Sequence, residues 1–421
     1  MNNDIFQPAD ILLFNGPDKT AFSVVACDQY TSEPEYWERV AQRVGDRPSA
    51  LKMIFPEAFL KSRDFDRTID SINRTMADYL SQGLFRECPG SFLYIERRQR
   101  NGKIRRGLIG MVDLEAYDYS VGSQSPIRAT EGTVLERIPP RVKIRENAPL
   151  ELPHVMLLID DRKKAVIEPL AARKQSFEQA YSFDLMENSG HLEGYLLPAE
   201  ECRRILSELA QGSDRESFEK TYGVQGMNKG VLPFAVGDGN HSLATARKCY
   251  LNLKEKLGEA ALHHPARYAL TELVNLHDDS LEFEAIHRIV TGVSPDDLLE
   301  AFGRHFDLSE SGGGQRVSVV RNGAVRELFI TNPSKNLAVG SLQEFLDQYT
   351  AEKGGEIDYI HGEDVVKSLS AQKDSIGFLL PSMDKNDLFQ TVILDGALPR
   401  KTFSMGEACD KRFYFEARKI C

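Results

Sequence analysis

The sequence predicts a mixed α/β protein, and three observations predict it. Two Asn-Gly dipeptides, Asn101-Gly102 and Asn322-Gly323, separate strand-forming runs, and Asn-Gly is the strongest short hairpin signal. Apolar runs VMLLID (155–160) and RYALTELVNL (267–276) read as buried strands. Towards the C-terminus helix and strand alternate: SLQEFLDQYT, IDYI, EDVVKSLS, IGFLL, NDLFQTVIL and a final strand FYFEARK. Hairpins combined with strand–helix alternation imply mixed sheets, α/β or α+β.

Taken in order, FSVVACD (22–28) reads as a buried strand, and SEPEYWERVAQRV as a helix whose Ser32 and Glu35 have capping-box spacing. FDRTIDSINRTMADYLSQG (65–83) has helical periodicity and a glycine stop. The first hairpin, FLYIERRQ with KIRRGLIGMVDL, follows; a helix is expected near 172–182. The second hairpin, RVSVVRNGAVRELFI, lies beyond a helix start at Ser294-Pro295-Asp296-Asp297 and a loose Ser311-Gly312-Gly313-Gly314 loop.

The chain has 421 residues, enough for two or three domains, with 41 % hydrophobic and 27 % charged residues. A net charge of −11, spread without an acidic tail, disfavours nucleic acid as a partner. The six cysteines are dispersed without a CxxC, which suits free thiols in a reducing compartment. The N-terminal MNNDIFQPADILLF lacks a leader pattern, and no apolar run is long enough to span a bilayer. The expectation is a soluble cytoplasmic protein without a membrane partner.

The stretch richest in chemistry is VLPFAVGDGNHSLATARKCYLNLKEKLG (231–258). A strand runs into Gly237-Asp238-Gly239-Asn240-His241-Ser242, and a helix follows with Leu243, Ala246, Tyr250, Leu253 and Leu257 on one face. A glycine turn at a helix start exposes amides at the positive end of the helix dipole, and phosphate is the anion that suits it. Asp238 would hold Mg²⁺ or orient a substrate hydroxyl; His241 would donate to a phosphate oxygen or shuttle a proton. The stretch matches neither GxxxxGK[ST] nor GxGxxG. The same residues also suit a structural role, with Asn240 or Ser242 capping the helix and Asp238 making an Asx turn.

Other candidates have plain alternatives as well. In RIPPRVKIR, Arg141, Lys143 and Arg145 share one face if the segment is extended, and would meet a polyphosphate or protect a sheet edge. Arg128-Ala129-Thr130-Glu131-Gly132-Thr133 offers a hydroxyl and a carboxylate, or forms a loop. Pro399-Arg400-Lys401-Thr402 closes over a phosphate or makes a surface turn. His361 precedes a helix start, where a packed histidine is the default. The nine histidines show no H-x-x-x-H spacing, so a dedicated metal cage is not expected.

FAVGDGNHSLATA resembles the DGHHRxxAA element of the family known as domain of unknown function 1015. VVACDQYTSEPEYWERV, ATEGTVLERIPPRVKIRENAPLELPH, LVNLHDDSLEFEAIHRIV, IDYIHGEDVV, IGFLLPSMDK and PRKTFSMGEA resemble further blocks of its longer bacterial members. The resemblance implies a ParB/sulfiredoxin-like nucleotide-binding core over residues 1–293, with insertions, and a smaller α/β region over 294–421. Since the family includes archaeal free-serine kinases, it implies a small-molecule kinase using Mg²⁺ and ATP or ADP, with free serine as one acceptor. An inactive nucleotide-binding regulator is the alternative.

The resemblance places nucleotide phosphates on Asp238, Gly239, Asn240 and His241, to which the glycine turn and helix start add Gly237 and Ser242. Two positions depart from the family pattern: Asn240 stands for the first His and Ser242 for the following Arg. Losing that Arg removes a bidentate phosphate fork, so either Arg247 or a basic residue from elsewhere, Arg141 or Lys401, replaces it, or the phosphate site is lost. The kinases also use an N-terminal Glu at a helix start as base, which here points to Glu33, since Glu35 is engaged by the expected capping box. Sulfiredoxin chemistry is not expected, because the loop carries no Cys.

Overall fold

The computed structural model describes residues 5–60, 64–120 and 122–421. Residues 1–4, part of the stretch read for a leader, lie outside them. The chain is mixed α/β and divides into two compact units, one of Met1–Leu281 with Glu407–Cys421 and one of Glu282–Gly406. This differs from the seam expected at Val293. The strand Phe283–Thr291 pairs with Glu356–His361 and Ser375–Leu379 and so belongs to the second unit's sheet. The C-terminal strands Phe413–Tyr414 and Glu416–Lys419 pair with Val24–Val25 and Ala9–Phe14, which returns the chain's end to the first unit.

Among the described residues the first unit holds a ten-stranded mixed sheet. At its centre Met156–Ile159 lies parallel to Tyr268–Asn275 and antiparallel to Phe234–Asp238. Strand side chains alternate between faces, and both faces are buried. Leu93, Ile95 and Ile109 join a core with Trp37, Val40 and Phe415, whereas Tyr94, Leu108 and Val112 join one with Leu243, Ala246 and Tyr250. The helices Pro34–Val44 and Asn240–Leu257 therefore contribute to different cores.

The first Asn-Gly turn closes a longer loop than a two-residue hairpin. Gln99 pairs with Lys103, and Gly102 alone takes positive φ (+82°), as in a three-residue turn ending in a left-handed residue. The second is a two-residue turn: Asn322 (φ +47°) and Gly323 (φ +76°) join paired Arg321 and Ala324.

Four local expectations are corrected. The segment near 172–182 is a helix Glu168–Arg173 followed by a strand Glu178–Asp184, because Tyr181 and Phe183 are buried while Ser182 and Asp184 are exposed, a period of two. Of FSVVACD only Val24–Val25 is strand, since Asp18 caps a short helix Lys19–Phe22 through the Ala21 amide at 2.9 Å. The capping box is not formed. Pro34 occupies the first turn and keeps Glu33 out of helical geometry (φ −126°, ψ 69°), so Glu33 rather than Ser32 is the N-cap. RIPPRVKIR is a helix, Ile138–Arg145, whose prolines sit in its first turn. Arg141 and Arg145 lie one turn apart in it and are taken by Glu57 and Glu151, the latter at 2.5 Å.

The second unit is an antiparallel sheet, ordered Leu308–Ser309, Ala324–Ile330, Gln315–Arg321, Ser375–Leu379, Phe283–Thr291, Glu356–His361. Its core draws on Leu298, Phe302, Leu342 and Phe345 from two helices, Pro295–His305 and Ala338–Lys353. Lys401 lies here, exposed and with φ +55°. Its neighbours make a structural turn: Thr402 donates to the Pro399 carbonyl at 2.7 Å and Arg400 meets Asp347 at 3.0 Å. His361 ends its strand exposed, and buried His287 accepts the Leu380 amide.

Candidate functional site

The expected strand–turn–helix forms as Phe234–Asp238, Gly239 and Asn240–Leu257. Its glycines are required by packing. A Cβ on Gly237 would fall 2.7 Å from Leu158 Cγ, and one on Gly239 3.0 Å from Val155 Cα. Gly239 also holds φ +77°, a left-handed geometry that glycine adopts without a Cβ clash. As N-cap it offers no side chain, and Asp238 Oδ1 accepts only the Gly239 amide, at 2.9 Å. The first turn-closing bond runs from the Leu243 amide to the Gly239 carbonyl, so the amides of Asn240, His241 and Ser242 precede the helix's own bonding. All three residues are half-buried, and Asn240 Oδ1 is a buried oxygen without a partner.

Asp238 Oδ2 lies 3.2 Å from Lys411 Nζ. Burial opposes the aspartate's charge, but the Lys411 ammonium, then His154 and the Gly239 amide, hold its carboxyl below the usual range. His154 Nδ1 is 2.7 Å from the Tyr414 hydroxyl, which accepts the Cys27 amide at 3.1 Å. Burial and Asp28 push the Cys27 thiol up to about 12, so it carries no thiolate at neutral pH.

His241 is held neutral. Burial, then Arg141 and Arg137, lower its pKa to about 4 against the pull of Asp28, and its Nε2 accepts the Val134 amide at 3.2 Å. The unfolded chain therefore binds more protons below the ordinary 6.5, and stability declines as pH falls from there towards about 4. A proton-detected titration is expected to place the His241 midpoint near 4, and His241→Gln to remove that part of the acid sensitivity. A midpoint at the ordinary value would contradict the environment described.

The other expected residues fall as follows. Arg141 is near enough to act on His241 but is engaged by Glu57. Arg247 points to Glu115, at 3.8 Å, together with Lys254. Ser242 stands in the first helical turn. Glu33 is exposed at its helix N-cap, beside Tyr30, whose phenol is raised by burial, then by Cys409, with Glu33 adding to it. Arg128 is buried and clamps the carbonyls of Ser125, Gly230 and Val231, and Thr130 donates to the Val236 carbonyl at 2.6 Å; both are structural here. Sequence reasoning missed Asp28, His154, Lys411 and Tyr414. Asp28 and His154 stood inside quoted blocks and Tyr414 inside the final strand, but nothing local marks them or Lys411 as neighbours of Asp238.

Lys411 is delivered by buried arginines. Arg97 donates to the Cys409 and Lys411 carbonyls (2.7 and 3.2 Å) and Arg105 to the Asp410 carbonyl (2.7 Å). Arg412 meets Glu272 at 2.6 Å and Glu416 at 2.5 Å, while Arg105 meets Glu272 from the other side at 3.2 Å. Burial, then neighbouring Arg105, lowers the Arg97 guanidinium to about 9. Among the described residues, the grouping of potential ligand atoms within 4.8 Å is Glu407, Cys409 and Asp410, which excludes Asp238.

Fold and site define a mixed α/β protein in which a strand of the central sheet runs through Asp238 and Gly239 into a helix without a side-chain cap. The chain belongs to the family described as protein of unknown function (DUF1015), whose profile matches residues 7–350. No curated protein sequence matches. Among solved structures, free serine kinase in complex with AMP is similar at 10 % identity and TM-score 0.37, covering 74 % of this chain and 91 % of that one. A conserved hypothetical protein from Pyrococcus furiosus reaches 9 % identity and TM-score 0.35, covering 74 % and 94 %. C-terminally truncated SbnI from Staphylococcus aureus reaches 8 % and 0.34, covering 73 % and 82 %. Superpositions this loose transfer no residue's role. No helix among the described residues is long and apolar enough to cross a membrane.

Proposed function

We propose that this chain is a nucleotide-dependent phosphotransferase acting on a small hydroxyl-bearing metabolite, with free serine as one acceptor to test. The observation that carries the reading is the half-buried helix mouth, where Gly239 leaves the amides of Asn240, His241 and Ser242 without a side-chain cap. Aligned amides at a helix start favour phosphate oxygens. Gly237 and Gly239 keep the turn tight. Arg141 is paired with Glu57 and Arg247 lies 3.8 Å from Glu115, so neither is assigned to the phosphate.

The residues suit Mg²⁺ arriving with the nucleotide. The Asp238 carboxylate and the orphaned Asn240 Oδ1 are oxygen ligands of the kind a hard cation prefers. When bound, the ion would neutralise phosphate charge. In the reaction the bond from the terminal phosphorus to the leaving phosphate oxygen breaks, and a bond to the acceptor oxygen forms. The acceptor's proton passes to Glu33, with neutral His241 aligning the transferred group. Phosphoryl transfer needs mostly positioning and charge neutralisation, so this equipment suffices.

Ser242 in place of an Arg, with Arg247 turned to Glu115, favours a second reading: a regulator that binds nucleotide without turnover. Purified protein with Mg²⁺, ATP or ADP, and a panel of amino acids and other alcohols tests both. A phosphorylated acceptor is expected. Calorimetric binding without product supports the regulator, and absence of both binding and product removes the two readings together.

A further inference from the structure

We propose that Lys411 is the phosphate-binding cation of the helix mouth, taking the place of the arginine fork missing at Ser242. This rests on the nucleotide-site reading above and specifies which charge meets the ligand. Of the other cations considered in the first unit, Arg141 is paired with Glu57 and the Arg137 carbonyl, Arg145 with Glu151, Arg247 lies 3.8 Å from Glu115, and Lys143 is exposed on its helix. Lys411 differs because its acid is Asp238, itself at the mouth.

The charge balance follows. Two opposite charges 3.2 Å apart, both largely shielded from water, satisfy each other while the mouth is empty. A divalent cation arriving with the nucleotide competes for Asp238. Lys411 then loses its counter-ion and needs an anion within reach, which the phosphate supplies. Lysine suits this exchange, since a flexible stem lets one ammonium move between two oxygen partners, whereas an arginine fork is fixed. Its backbone does not move with it. Three successive carbonyls, of Cys409, Asp410 and Lys411, are held by Arg97 and Arg105, so only the side chain swings.

Calorimetry with Mg²⁺ and ADP, and separately with adenosine, compares wild type, Lys411→Met and Lys411→Arg. A lost charge-assisted contact corresponds to roughly 10- to 100-fold weaker binding. Lys411→Met is expected to weaken ADP by that factor and to leave adenosine within about 2-fold, with Lys411→Arg, which keeps the charge but not the compact ammonium, recovering only part of the loss. If Lys411→Met is too unstable because Asp238 is left unpaired, the contrast between Asp238→Asn and Asp238→Asn/Lys411→Met gives the same readout, with weaker ADP binding expected in the double variant. Equal ADP affinity with and without Lys411 overturns this assignment and leaves the nucleotide reading intact. A wild type that binds neither ligand overturns the nucleotide reading itself.

Discussion

Glu272→Ala is expected to destabilise the first unit by about 3–5 kcal/mol, the usual cost of removing one partner from a buried ion pair. Glu272 is fully buried and accepts from Arg105 and Arg412, which are themselves only 4 % exposed. The substitution leaves two guanidiniums in the core with no carboxylate between them, apart from Glu416 on Arg412. Burial opposes the charge of Glu272, but Arg105 and Arg412 hold its carboxyl below the ordinary range. A depressed carboxylate contributes stability that is present above its ordinary pKa and is lost as pH falls through the lower folded value. Denaturant unfolding at neutral pH should show the full loss, and wild type and variant should converge in acid. A change below about 1 kcal/mol, the level of a surface pair, would show that the network is not as dry as described. The same variant should weaken ADP binding, because Arg105 and Arg412 help hold the segment that carries Lys411.

Asp238→Ala is expected to lower product formation by about 100-fold or more, the scale on which an enzyme depends on one preorganised charge at the reacting phosphate. It removes the proposed Mg²⁺ ligand, and it frees Lys411 to bind anions without a metal. Steady-state rates should therefore fall while binding of inorganic phosphate improves. Because Lys411 keeps the Asp238 carboxyl below its ordinary range, wild-type activity should not vary with pH through this group near neutrality and should fall with its protonation only in acid. Unchanged turnover in Asp238→Ala would place the chemistry elsewhere.

What the sequence made legible was local. The Asn322-Gly323 turn, the helix Phe65–Ser81 and the strand–turn–helix around Asp238 are each set by residues within a few positions of one another. Failures came where a neighbour or a distant segment intervened. Pro34 shifted the N-cap by one residue and dissolved the S-x-x-E box, and the paired prolines of RIPPRVKIR, read as extended, open a helix. The strand after Arg173 was missed because its alternation is short and sits beside a helix.

Half of the candidate site was closed to sequence reading for a related reason. Lys411 and Tyr414 reach Asp238 and His154 only because the C-terminal segment pairs back onto Val24–Val25 and is pinned by Arg97 and Arg105, while His154 is set near Asp238 by the pairing of Met156 with Asp238 in the central sheet. No periodicity or spacing encodes that return. Asp28, whose charge reaches His241, was visible as a residue but not as a neighbour.

The central claim is that the amides opening the helix at Asn240 receive phosphate. The most direct measurement is a crystal structure of the protein with Mg²⁺ and ADP. The account predicts phosphate oxygens about 2.7–3.2 Å from the amide nitrogens of Asn240, His241 or Ser242. Phosphates bound elsewhere, with those three amides still facing water, would contradict it.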